Sequence, residues 1–136
     1  MFDLGEMRMV FESHLSETDF GSQPKDLYDP IYYTLNLGGK RIRPLLLLLT
    51  NDIYGGDIKE AMPAAMAIEM FHNFTLVHDD IMDHDELRRG RDTVYKKYDE
   101  SIAILAGDGL LVQAYAALAR VDGLALPRVI SAFSLH

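Results

Sequence analysis

Ile68-Glu69-Met70-Phe71-His72-Asn73-Phe74-Thr75-Leu76-Val77-His78-Asp79-Asp80-Ile81-Met82-Asp83 is the stretch whose reading decides the fold. Its apolar residues (Ile68, Met70, Phe71, Phe74, Leu76, Val77) lie almost all round a helical wheel, so a buried helix is expected. Asp57 can cap that helix, Pro63 should kink or restart it, and it should run to about Asp83. At that length its far end crosses the domain, with its ionisable end aimed into a cavity.

The rest of the chain reads the same way. A first helix is expected from about Asp3 to Thr18, with Met7, Val10, Phe11 and Leu15, plus His14, on one face. After a loop at Gly21-Ser22-Gln23-Pro24, a second should start near Asp29-Pro30, carry Ile31 and Leu35, and stop at Gly38-Gly39. A third should start at Pro44, contain the run Leu45 to Leu49, and end at Gly55-Gly56. Asp85 to Asp92 reads as polar and irregular. A further helix covers Asp99 to Val121 with Gly107 and Gly109 inside it, and another begins around Leu126-Pro127 and stops without a closing signal. No strand pattern, repeat or linker is visible. The expectation is an all-α antiparallel bundle, one domain over residues 1–136.

Composition narrows the function. Of 136 residues, 49% are apolar and 25% charged, the balance of a globular protein, and the net charge of −8 argues against a general nucleic-acid or anionic-membrane binder. The absence of Cys excludes disulfides, thiolate nucleophiles and Cys-based metal sites. No run approaches the roughly 20 apolar residues of a membrane span. The N-terminus lacks a basic region followed by an apolar stretch, so a cytoplasmic location is expected.

The cations are concentrated. Lys40, Arg41 and Arg43 form one group, and Arg88, Arg89, Arg91, Lys96 and Lys97 another; between them His78-Asp79-Asp80-Ile81-Met82-Asp83-His84-Asp85-Glu86 is strongly acidic. A solvated charged surface is one reading, and anion binding by the cations is the other. Asp79 and Asp83 share a helical face one turn apart, where two carboxylates repel. A divalent cation removes that cost, and oxygen ligands point to Mg²⁺. His72 lies two turns before Asp79 on the same face, as a site residue or as a satisfied buried histidine. Gly38-Gly39-Lys40-Arg41-Ile42-Arg43-Pro44 joins a Gly-rich turn, three cations and a helix start, a combination suited to phosphate oxygens or to a tight turn with solvated cations. Two anion sites and one metal site fit a reaction between two phosphorylated substrates driven by metal-assisted departure of a leaving group.

Four blocks resemble the trans-type isoprenyl diphosphate synthases (polyprenyl synthetases): Gly38 to Pro44; His72 with His78-Asp79-Asp80-Ile81-Met82-Asp83; Leu87-Arg88-Arg89-Gly90; and Gly107-Asp108-Gly109-Leu110-Leu111. The resemblance runs from about Leu27 onward, over less than half of a usual member. It implies the terpenoid-synthase type of all-α bundle, truncated here, and a homodimer. It implies condensation of an allylic diphosphate with isopentenyl diphosphate, releasing pyrophosphate. Asp79 and Asp83 would bind Mg²⁺ holding the allylic diphosphate, Asp80 would assist at the metal, and Arg88 would contact the same diphosphate. Lys40, Arg43, His72 and Arg89 would bind isopentenyl diphosphate. Phe74 and Thr75, five and four positions before Asp79, would set product length, with C20 favoured and C15 next; ordinary core packing is the other reading of Phe74.

Two departures stand out. Asp92 precedes Thr93 where the family commonly has Pro, and Tyr95 stands where His is frequent, which should alter the loop more than the chemistry. The family's second Asp-rich motif is not in this sequence. A diphosphate-binding or partner-subunit module without turnover is therefore an alternative. A His-Asp metal phosphohydrolase is another, suggested by His78-Asp79 and His84-Asp85, although His14 and His136 are poorly placed to complete its ligands.

Overall fold

The computed structural model describes residues 3–135. In chain order they form α1 (Leu4–Glu17), α2 (Lys25–Asn36), α3 (Ile42–Ile53), α4 (Ile58–Met82), β1 (Leu87–Arg88), β2 (Arg91–Asp92), α5 (Val94–Lys97), α6 (Glu100–Leu118) and α7 (Leu126–Ser134). The fold is all-α, as the sequence predicts. Two compact units are present: one holds the described residues up to Asp19, Arg41–Glu69 and those from Ala114 on, the other Phe20–Lys40 and Met70–Gln113.

In the first unit, α1 opens with a capping box. Asp3 Oδ1 accepts from the Glu6 N–H at 2.8 Å, and Glu6 Oε2 accepts from the Asp3 N–H at 3.1 Å. Met7, Phe11 and Leu15 are buried, four residues apart, and α1 packs against α3. The predicted face was too wide: Val10 and His14 are exposed, because a stripe at strict i, i+4 spacing covers only one edge of the helix. α3 starts two residues before Pro44, which is buried in its first turn, where a missing N–H costs nothing. α4 begins as expected, with Asp57 Oδ1 accepting from the Lys59 N–H at 2.9 Å. It then runs 25 residues straight through Pro63, with no restart. The buried run Met62, Ala65, Met66, Ala67 and Met70 supplies packing that outweighs one lost backbone bond.

In the second unit, α2 starts four residues earlier than predicted. Pro24 is its N-cap and receives the Leu27 and Tyr28 N–H groups, so Asp29 is no cap and Pro30 lies buried inside the helix. Asp85 to Asp92 is not irregular: Leu87 pairs with Asp92 and Arg88 with Arg91 in an antiparallel hairpin. The two central residues, Arg89 (φ 52°) and Gly90 (φ 76°), are both left-handed, as the tightest hairpin turn requires. Only Gly90 advertised that turn. Asp99 Oδ1 caps α6 through the Ile102 N–H at 2.7 Å. Gly107 allows α4 to come close, since a Cβ there would lie 2.4 Å from His78 Nε2.

α6 also corrects the expectation about membrane spans. By length and composition alone its 19 residues could cross a bilayer, because Ala and Leu on either side of Asp108 raise the average without forming an uninterrupted run. Ala103, Ala106, Leu110, Ala114 and Ala117 are buried at helical spacing, while Ile104, Leu105, Val112 and Tyr115 of the same helix are exposed.

Candidate active site

The C-terminal end of α4 carries three carboxylates. The helix stops at Met82 because His84 turns left-handed (φ 57°), while Asp85 N–H reaches back to Asp80 O at 2.9 Å and His84 N–H to Ile81 O at 3.3 Å. Asp83 N–H donates to Asp79 O at 2.8 Å, keeping the two aspartates one turn apart. All three carboxylates face the negative end of the helix dipole, which raises the cost of their charge.

They are not equivalent. Asp79 and Asp83 are exposed, whereas Asp80 is 3% exposed. Arg88 grips Asp80 with both prongs, Nε to Oδ2 at 2.9 Å and Nη2 to Oδ1 at 2.7 Å. Both oxygens of Asp80, the residue expected to assist at a metal, accept from Arg88, so in this structure Asp80 holds the guanidinium. The hydrogen bond to Asp80 holds the Arg88 guanidinium above its ordinary pKa, against the opposing effect of burial. Asp79 and Asp83 do fit a hard cation: two exposed oxygen donors one turn apart at a negative helix end. Among the described residues no group of three or more His, Cys, Asp or Glu assembles. A Mg²⁺ held here would take its remaining ligands from water and substrate oxygens, which suits its chemistry.

Behind this end of α4 sits the hairpin. Thr93 Oγ1 donates to Asp85 O at 2.8 Å, and Tyr33 of α2 donates its hydroxyl to Asp92 O at 2.6 Å. Lys97 Nζ lies 4.7 Å and the Arg91 guanidinium 5.7 Å from the Tyr33 ring centre. The departures around Thr93 thus leave a regular hairpin, with the Asp92 carbonyl as an anchor. At its tip, Arg89 Nη1 donates to the Gly38 carbonyl, 51 residues away. Gly39 must be glycine: its φ is 141° and a Cβ would stand 2.8 Å from Arg89 Nη2. The two cationic motifs of the sequence therefore meet through Arg89, with exposed Lys40 next in the chain.

His72 is half-buried, and its carbonyl accepts from Thr75 Oγ1 at 2.6 Å. Phe74 makes edge contacts with Phe71 at 5.5 Å and His78 at 4.8 Å between ring centres. His78 Nε2 lies 3.2 Å from the Ile104 carbonyl and 3.7 Å from Asp108 Oδ1. His14 is exposed on α1, and His136 lies outside the described residues.

Arg43 is exposed on the first turn of α3, in the first unit. Arg41 differs from the other two cations of its motif. It is 4% exposed, with Nε 2.8 Å from Glu12 Oε1 and Nη1 2.9 Å from Glu69 Oε1. Burial alone would lower its pKa, but the bonds to Glu12 and Glu69 more than offset that and raise it. The sequence reading, which grouped Arg41 with the anion-binding cations, missed this. The signal was Glu69, an acid inside the apolar middle of α4 that needs a buried partner. Tyr33 carried no comparable signal.

An all-α chain that exposes a pair of carboxylates at a helix end, beside a hairpin of cations, brings together groups suited to a cation and to an anion. Residues 24–135 match the family model described as Polyprenyl synthetase. The chain is 45% identical over 127 residues to a geranylgeranyl diphosphate synthase from Sulfolobus acidocaldarius, covering 93% of this chain and 37% of that relative. It is 44% identical over 127 residues to a farnesyl diphosphate synthase from Geobacillus stearothermophilus, covering 91% and 43%. A crystal structure of a geranylgeranyl pyrophosphate synthase superposes with a TM-score of 0.94 at 46% identity, covering 98% of this chain and 41% of that one. The chain belongs to the polyprenyl synthetase family and spans about two-fifths of the length of these relatives.

Proposed function

We propose that the chain is the N-terminal part of a prenyltransferase that joins an allylic diphosphate to isopentenyl diphosphate and releases pyrophosphate. The observation that carries this reading is the sorting of the acidic motif, with Asp79 and Asp83 exposed and Asp80 committed to Arg88. It leaves two carboxylates for Mg²⁺ and orients a guanidinium beside them. Bound there, Mg²⁺ would neutralise the departing pyrophosphate. Asp79 and Asp83 hold the metal end of the allylic diphosphate, and Arg88 contacts its oxygens. Isopentenyl diphosphate is assigned, by family resemblance, to Lys40, His72 and Arg89 of the second unit and to Arg43 of α3. The same resemblance supports a homodimer.

Product length is the finer part of the proposal. Phe74 and Thr75 lie roughly a turn before Asp79 on α4, at a level that a growing chain would meet after a few isoprene units. A C20 product is favoured and C15 is next, in keeping with relatives named for both.

The test is incubation with an allylic diphosphate, isopentenyl diphosphate and Mg²⁺, with products separated by chromatography. Longer prenyl diphosphates support the synthase. Calorimetric binding of the diphosphates with no longer product would instead support a diphosphate-binding helical module without turnover.

A further inference from the structure

Glu12, Arg41 and Glu69 are an ion-paired cluster that the proposed chemistry does not use. They come from three elements of the first unit: α1, the residue before α3, and the middle of α4. Arg41 is nearly fully buried, with Glu69 at 3% exposure beside it and Glu12 at the edge. Its backbone is left-handed (φ 53°, ψ 33°), a conformation unfavourable for a residue with a Cβ. Gly38 (φ 77°) and Gly39 (φ 141°) precede it, so three of four consecutive residues lie at positive φ. No side chain caps α3. A turn of this kind persists only if something outside it holds it. The Arg41 side chain, tied to two other helices, does so.

The flanking residues give that anchor a functional meaning. Lys40 precedes Arg41 directly, and Arg43 follows on the first turn of α3. Both are exposed, and the middle cation alone is turned inward. We infer that Glu12, Arg41 and Glu69 are positioning residues: their buried clamp fixes the left-handed residue that opens α3 and so aims Arg43, on the first turn of that helix, at the diphosphate. This rests on the assignment of Arg43 to isopentenyl diphosphate. It also gives α1 a role, since α1 lies before the residues matched by the family model, which begin at 24.

Electrostatics supplies a test whose sign discriminates. Removing a carboxylate charge near an anion site should tighten anion binding by Coulomb attraction alone. Loss of positioning should weaken it. Glu12→Gln and Glu69→Gln keep the side-chain shape and remove the charge. Glu12→Gln is the milder variant, because its side chain is 38% exposed. Affinity for isopentenyl diphosphate is measured by calorimetry, at a temperature where circular dichroism shows each variant folded. Each is expected to bind about tenfold or more weakly than wild type, the usual scale for loss of a supporting contact. The salt dependence should be unchanged, because the contacting cations remain. Arg43→Ala is measured alongside. Weakening by Arg43→Ala, with equal or tighter binding by both Glu variants, overturns the clamp and leaves the site assignment standing. Wild-type affinity in Arg43→Ala, or no binding by the wild-type protein, overturns the assignment and the clamp together.

Discussion

Arg88→Met should destabilise the protein before any ligand is present. The substitution keeps most of the aliphatic bulk and removes the guanidinium, leaving the Asp80 carboxylate buried without its partner. Two charge-assisted bonds are lost, at 2.7 and 2.9 Å. Breaking a fully buried pair from one side costs about 3–5 kcal/mol. The Arg88 side chain is 27% exposed against 5% for Asp80, so water reaches part of the pair and the lower end applies, about 3 kcal/mol. For a chain of this size that lowers the melting temperature by roughly 10 °C. Asp80→Asn retains the shape and one acceptor oxygen and should cost about half as much. The assay is thermal melting by circular dichroism, without Mg²⁺ or diphosphate, completed as a double-mutant cycle. Coupling between the two substitutions should be about 1.5–3 kcal/mol. Asp79→Ala is the contrast: it removes an exposed charge from a negative helix end and should leave stability unchanged or higher. Additive effects of Arg88→Met and Asp80→Asn, or equal losses from Asp79→Ala and Asp80→Ala, would refute the distinction between buried anchor and exposed ligand.

Three further outcomes follow from particular contacts. Gly39→Ala places a methyl 2.8 Å from Arg89 Nη2 at φ 141°, so it should displace Arg89 and weaken isopentenyl diphosphate binding, read by calorimetry. Gly107→Ala drives a Cβ to 2.4 Å from His78 Nε2 and should cost about 1–3 kcal/mol by chemical denaturation. Adding His78→Ala should restore part of that loss, and no restoration would exclude the ring as the obstacle. Phe74→Ala should lengthen the prenyl products, with a stability loss of a few kcal/mol at most because the ring is only half-buried; an unchanged chromatographic distribution would leave Phe74 as packing alone.

Much of this protein is legible in one dimension. Helices are local: each backbone bond joins residues four apart, so caps such as Asp3, Asp57 and Asp99 and the spacing of Met7, Phe11 and Leu15 suffice to locate them. The Asp79–Asp83 spacing is local in the same sense, and the order of the cationic motifs points to the family before any fold is known. Boundaries at proline were less legible. Whether Pro30 and Pro63 break a helix depends on how much burial the rest of that helix gains, which is a property of packing.

The three-dimensional fold alone decided which charged residues face outward. Asp80 lies between residues that look chemically identical to it, and Arg41 sits one residue from Lys40 and two from Arg43. Only the arrival of Arg88 from the hairpin, and of Glu12 and Glu69 from α1 and α4, separates the structural charge from the exposed one. A buried charge is defined by its partner, and these partners come from 8, 28 and 29 residues away. No local pattern encodes such distances. The desolvation penalty of an unpaired ion enforces them once the chain has folded.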